Sequence, residues 1–169
     1  MMTGAQRAKV VEVAMKAVDA RLRGQKTVVL GLPKGRQEFI LGPVYKDRKL
    51  QGYCNRFVRQ VFEVALNLEP FDWRYRSDSA RETCQKLEDA GKSVPFVCRL
   101  PGDILGINRS SGKYGHIAIY LGANIPGHEG KELIAENTSS GARGYPVKPG
   151  TKITRLSDVQ GRVTGCYRP

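Results

Sequence analysis

The chain has 169 residues, 40% of them hydrophobic and 26% charged, which suits one folded domain over 1–169 whose core needs no disulfide staples. Lys and Arg total 28 against 16 Asp and Glu, a formal charge of +12 that draws in polyanions such as nucleic acid, anionic lipid or acidic wall polymer and says nothing about fold. The basic residues are spread along the chain without a dense Lys/Arg block, which argues against a nucleic-acid partner, and no run of ~18 apolar residues provides a membrane span.

The opening MMTGAQRAKVVEVAMKAV mixes Arg, Lys and Glu with its apolar residues, so it reads as an amphipathic helix and not as a secretory leader. Val10, Val11, Val13, Ala14, Ala17 and Val18 recur at helical spacing, which predicts a helix over residues 5–22 closed by Gly24. Residues 25–50 hold Gly and Pro between short apolar pieces and read as irregular with one short strand. A second helix is expected from about Cys54 to Leu66. Phe57, Val58, Val61, Phe62 and Ala65 form its buried stripe, and Arg56, Arg59, Gln60 and Glu63 its wet face. Cys54, three and four residues before Phe57 and Val58, points inward with them. A third helix begins at Ser79, which has the spacing of a capping box with Glu82, and ends at Gly91.

After Pro95 the pattern changes to short β-branched runs: DILGI (103–107), HIAIYLG (116–122), ELIAEN (132–137), KITRL (152–156) and RVTGCY (162–167). Helices come first and strands second, so the expected class is α+β with an antiparallel sheet and no βαβ alternation.

The four cysteines, Cys54, Cys84, Cys98 and Cys166, form no CxxC pair, which gives no support to a zinc or thioredoxin-type site; reduced thiols are expected, although the count permits two disulfides. A thiol becomes a nucleophile as the thiolate, which a helix N-terminus and a neighbouring imidazole both favour. Cys54 is placed for the first. The chain has only two histidines. His116 opens the strand HIAIYLG after KYG, where a rigid ring can face a cleft; His128 lies in the turn NIPGHEGKE and reads as a solvated bystander. A catalytic histidine also needs a group that fixes its tautomer. The strand ELIAEN ends in Glu136 and Asn137, and alternation does not choose between them because both faces of that strand carry apolar residues. Asn137 is preferred, since an amide accepts from the ring N–H without adding charge. The competing reading of each residue is structural: Cys54 as a small core residue, His116 as a packing residue, and the Glu136-Asn137 pair as turn chemistry before TSSG.

Taken in order, GYCNRFVRQVF, LPGDILGI, YGHIAIYLG and IAENTSSG resemble the papain-like cell-wall cysteine peptidases, a superfamily that includes the NlpC-type endopeptidases and the CHAP amidases. The resemblance covers roughly residues 50–140. It implies a papain-like fold with N-terminal helices packed on a central antiparallel sheet, Cys54 as nucleophile, His116 as base, and Asn137 or Glu136 as the third residue. Tyr53 before the cysteine and Asn55-Arg56 after it depart from the NlpC pattern, and the third residue is closer to CHAP usage. The implied function is peptidoglycan hydrolysis at an amide of the stem peptide, or at its link to muramic acid. No metal or organic cofactor is implied, and the partner is the anionic bacterial wall. The missing leader suggests a phage lysin, a virion-associated hydrolase, export by another route or an excised domain. Two other functions fit the same residues: a non-catalytic basic module binding wall polymer or nucleic acid, and a thiol acyltransferase of the same fold.

Overall fold

The computed structural model describes residues 1–42, 54–108, 115–138, 143–146 and 148–169. Residues 43–50 of the segment read as irregular, Tyr53, the Lys113-Tyr114 pair before the histidine strand, and the SSG after Thr138 lie outside the described residues.

Helix α1 spans Gly4–Leu22. Thr3 caps it reciprocally: its hydroxyl accepts from the Gln6 N–H at 3.2 Å, and the Gln6 side chain accepts from the Thr3 N–H at 2.8 Å. Val10, Val13, Ala14, Ala17 and Val18 are buried, as their spacing predicts. The next segment departs from the single strand expected of it. Strands β1 (Thr27–Leu30) and β2 (Gln37–Ile40) pair as an antiparallel hairpin, with Thr27 opposite Ile40. The turn between them closes tightly at Gly31, whose φ of +108° and 2.6 Å approach of a would-be Cβ to the Gly35 carbonyl leave room only for glycine.

Helix α2 spans Cys54–Ala65 and buries Phe57, Val58, Val61 and Phe62. Its expected wet face is not wet. Arg59, Gln60 and Glu63 are buried, and only Arg56 of that set is half-buried. The hairpin and the loop after α2 cover this face. Glu63 is 0% exposed and takes three donors: Arg59 Nη1 at 2.6 Å, Gln37 Nε2 at 2.8 Å and the Trp73 N–H at 3.3 Å. Gln60 donates to the Glu38 carbonyl at 2.8 Å, and the Arg59 guanidinium lies 4.1 Å over the Phe71 ring. The Arg59–Glu63 part of the polar stripe of α2 is therefore a second buried interface, in which the Arg59 and Glu63 charges answer each other.

Helix α3 spans Ala80–Asp89. Ser79 accepts from the Glu82 N–H at 3.1 Å, so one half of the expected capping box forms; the Ser79 N–H goes instead to Ser77 Oγ at 3.1 Å.

Five strands follow: β3 (Ile104–Ile107), β4 (His116–Gly122), β5 (Leu133–Thr138), β6 (Gly150–Arg155) and β7 (Val163–Tyr167). They form one antiparallel sheet in the order β6-β5-β4-β3-β7, so the class is α+β as the order of elements predicts. Both faces of the sheet are covered. Ile104, Ile117, Ile119, Leu133 and Ala135 pack with α1 and α2 in one cluster; Leu105, Ile107, Ala118, Tyr120 and Ile134 belong to another with Leu156 and Val159. The LPGD turn leads into β3 through Asp103, which is 0% exposed. Its carboxylate accepts from the Leu100 N–H at 2.8 Å and from Arg168 at 3.0 and 2.8 Å, tying the turn to the C-terminal end of the chain. Among the described residues no helix is long and apolar enough to cross a membrane.

Glu63→Ala should destabilise the fold by about 3–5 kcal/mol, because it strands the buried Arg59 guanidinium and the Gln37 amide without an acceptor. Urea unfolding followed by Trp73 fluorescence measures this, and a loss below about 1 kcal/mol would mean that Arg59 finds water instead.

Candidate active site

Cys54 is the first residue of α2, half-buried and packed against the helix-side cluster. The positive end of the helix dipole therefore lies at its thiol. His116 is the first residue of β4, paired opposite Ile107 of β3, and is 0% exposed. The Cys54 and His116 side chains share a hydrogen bond. On its other side, His116 Nε2 meets Glu136 Oε2 at 2.6 Å, which leaves Nδ1 as the ring nitrogen for the thiol. Cysteine, histidine and carboxylate thus stand in line, drawn from a helix start and two neighbouring strands.

Glu136 and Asn137 are separated by the pleat. Successive residues of a strand face opposite sides, so Glu136 shares a face with Ile134, while Asn137 shares one with Leu133 and Ala135 on the helix side. Asn137, preferred on the sequence, does not meet His116. Its Nδ2 donates to Thr151 Oγ1 at 3.1 Å, and its buried Oδ1 has no partner among the described residues. The carboxylate occupies the position beside the ring. His128 is half-buried in the turn after β4 and lines a cavity of about 370 Å³ with Lys131, Tyr145 and Arg155; no hydrogen bond joins it to Cys54, His116 or Glu136.

The electrostatics follow from burial and pairing. Burial works against a charged His116 ring, but the Cys54 sulfur and the Glu136 carboxylate outweigh it, and the imidazole pKa lies above its usual value. Burial likewise pushes the Glu136 carboxyl upward. Hydrogen bonds from His116 and Thr154, with the nearby Arg143 charge, reverse this and bring it down to about 2. The group is therefore poised to hold an imidazolium.

Three residues around Glu136 were not singled out in the sequence. Thr154 Oγ1 donates to Glu136 Oε1 at 2.5 Å, Arg143 Nη2 lies 3.8 Å from Oε2, and the buried Lys152 is the cross-strand neighbour of Glu136. A signal for two of them was present: Lys152 and Thr154 alternate through KITRL, where polar groups on one face of a buried strand need partners. All four cysteines are free thiols, and among the described residues no three His, Cys, Asp or Glu side chains gather as a metal site. No protein-family model matches the chain, and no curated protein matches its sequence.

Cys54 should be the fastest thiol toward iodoacetamide at pH 6, by at least about tenfold over the exposed Cys98, because its thiolate has the helix end and the imidazolium beside it. Cys84 and Cys166 should be slowest, since both are buried and burial pushes each pKa up to about 12. Mass spectrometry of labelled peptides reads the order, and equal labelling of Cys54 and Cys98 would return Cys54 to a packing role.

The depressed Glu136 pKa also has a stability consequence. The carboxyl of the unfolded chain takes up its proton near pH ~4.3, before the folded one does, so the Glu136 contribution is full above that value and is lost as pH falls toward about 2. The stability advantage of wild type over Glu136→Gln should therefore shrink between about pH 5 and about pH 2. Urea midpoints at several pH values test this, and a constant gap across that range would contradict it.

Proposed function

We propose that the chain is a peptidoglycan hydrolase of the papain-like NlpC/CHAP kind, cleaving an amide bond of the stem peptide or its link to muramic acid by a Cys–His thiol mechanism. One observation carries the reading: the Cys54 thiol at the start of α2 is hydrogen-bonded to a buried histidine whose Nε2 is held by a buried carboxylate at 2.6 Å. The four motifs from GYCNRFVRQVF to IAENTSSG support the substrate class, and the charge of +12 suits an anionic wall polymer.

The chemistry is acyl transfer. The Cys54 thiolate attacks the amide carbonyl carbon and forms a tetrahedral oxyanion, toward which the Cys54 backbone N–H donates. As the C–N bond breaks, the His116 imidazolium gives its proton to the departing amine. His116, now neutral, takes a proton from water, which attacks the thioester and releases the carboxylic acid and the thiol. Glu136 keeps Nε2 protonated and stabilises the imidazolium, as a buried carboxylate does in the serine hydrolases.

Purified protein should solubilise peptidoglycan with release of new free amines and no new reducing sugar ends, because glycosidic cleavage normally needs paired carboxylates acting on the sugar. Cys54→Ala should abolish amine release while keeping salt-sensitive binding to the wall, since the net charge is unchanged. Binding without amine release from wild type would favour a wall-binding module. Acylation of Cys54 from a lipid donor with an intact wall would favour an acyltransferase, and release that persists in Cys54→Ala would overturn the mechanism.

A further inference from the structure

The carboxylate at the centre of the site has more suitors than oxygens. Glu136 is 0% exposed, and its Oε2 is shared between His116 Nε2 at 2.6 Å and Arg143 Nη2 at 3.8 Å. Lys152 stands directly across from it on β6, fully buried, with its Nζ donating to the Arg143 carbonyl at 2.7 Å. Out of water, attraction between unlike charges is stronger than at the surface. A carboxylate also turns easily, because its terminal torsion is broad and roughly two-fold. Nothing in the charges alone keeps Glu136 on the imidazole in preference to the two cations.

Thr154 supplies the missing constraint. It is 1% exposed, and its hydroxyl donates to Glu136 Oε1 at 2.5 Å. A β-branched side chain has few χ1 choices, so this donor is stiff. The backbone over it is closed as well. Tyr145 bridges to Ile153 by two backbone hydrogen bonds of 2.7 and 3.1 Å. Gly144, at φ +83°, passes so near that a Cβ there would stand 2.5 Å from Thr154 Oγ1 and 2.6 Å from Lys152 Cδ. The hydroxyl has little room to turn elsewhere. The same closure brings Arg143 to the carboxylate, so competitor and constraint arrive together.

We propose that Thr154 is a positioning residue for the thiol chemistry: by pinning Glu136 Oε1 it keeps Oε2 at 2.6 Å from His116 and Arg143 at the longer 3.8 Å, so that the carboxylate does not turn further toward Arg143 and Lys152. This rests on the thiol mechanism proposed above, and adds to it a residue that touches neither thiol nor substrate. Among the described residues, the charged and titratable groups facing the His116–Glu136 pair are Cys54 from α2, Arg143 from the 143–146 segment and Lys152 from β6, with Arg21 of α1 acting on Lys152. Without the Thr154 hydroxyl the carboxylate turns toward the cations. The imidazole then loses the partner that fixes Nε2–H, and the Cys54 thiolate loses part of its counter-charge.

The test uses the full chain and the rate of Cys54 alkylation by iodoacetamide across pH 5–9, with the exposed Cys98 as internal standard, so no wall substrate is involved. Thr154→Val, close in volume to the native residue, should slow Cys54 at pH 6 by about tenfold and move its profile toward that of Cys98. Thr154→Ser should restore the rate to within about twofold, because it returns the donor. Arg143→Gln should recover part of the loss when combined with Thr154→Val, since it removes the competing charge; a purely structural role for Thr154 predicts no such recovery. Thr154→Ala serves the same comparison if the valine variant does not fold. A wild-type profile in a folded Thr154→Val protein, or no recovery in the double variant, overturns the role of Thr154 while leaving the hydrolase reading standing. A wild-type Cys54 no faster than Cys98 overturns both.

Discussion

A carboxylate shut away from water must be surrounded by donors or it takes up a proton. Glu136 lies on β5, flanked by β4 and β6, at 0% exposure, and its oxygens are met by His116 of β4, Thr154 of β6 and Arg143 of the segment bridged to β6. Those partners come from three different stretches of chain, and their positions relative to one another are set by this one group. The strand register agrees with it: β5 and β6 pair without interruption from Leu133–Arg155 to Thr138–Gly150, which brings Lys152 opposite Glu136 and Thr154 within reach of it. A slip of one residue would turn Glu136 to the helix side and leave a charge in an apolar cluster.

The same rule operates twice more. Glu63 joins β2, α2 and the loop at Trp73 through Gln37, Arg59 and a backbone N–H. Asp103 joins the turn before β3 to Arg168 near the end of the chain. All three acids are 0% exposed. Each fastens segments that hydrophobic contact alone would leave free to slide, since apolar packing is non-directional and hydrogen bonds to a carboxylate are not. Buried charged groups of this kind are costly to break and give little net stability compared with an apolar substitute. Their contribution here is geometric. Glu63 fastens α2 to the hairpin, Asp103 fastens the turn before β3 to the end of the chain, and Glu136 fastens β5 to β4 and β6.

The division of labour in the site follows from the two kinds of element that build it. A helix start offers a concentrated positive end and a side chain that packs inward. A strand offers rigid, alternating side chains, so a histidine on β4 and an acid on β5 are held at fixed spacing. Combined, they produce an imidazole with its pKa raised between a sulfur and a carboxylate, even though burial alone lowers it. The net charge of +12 is a separate property, set by the excess of Lys and Arg along the whole chain and not by the groups of the site.

Local pattern was enough to determine most of the elements. The valine and alanine spacing of α1, the apolar stripe of α2, the Ser79 cap of α3 and the five β-branched runs all lie where their periodicity puts them, because each depends on neighbours within a turn or a strand. The pairing of a cysteine at a helix start with a histidine at a strand start was also legible, since both signals are local. Three things were not. The hairpin of β1 and β2 was hidden in a Gly- and Pro-rich stretch whose turn is specified by a close backbone approach at Gly31. The polar stripe of α2 looked solvated because a helical wheel shows which residues share a face and not what covers it; the hairpin and the Trp73 loop bury Arg59, Gln60 and Glu63. Glu136 and Asn137 were indistinguishable because β5 is apolar on both faces, and alternation separates two residues without naming the side on which a histidine waits. Only the pairing of β4, β5 and β6, a long-range matter of register and packing, put the carboxylate on the ring and the amide on Thr151.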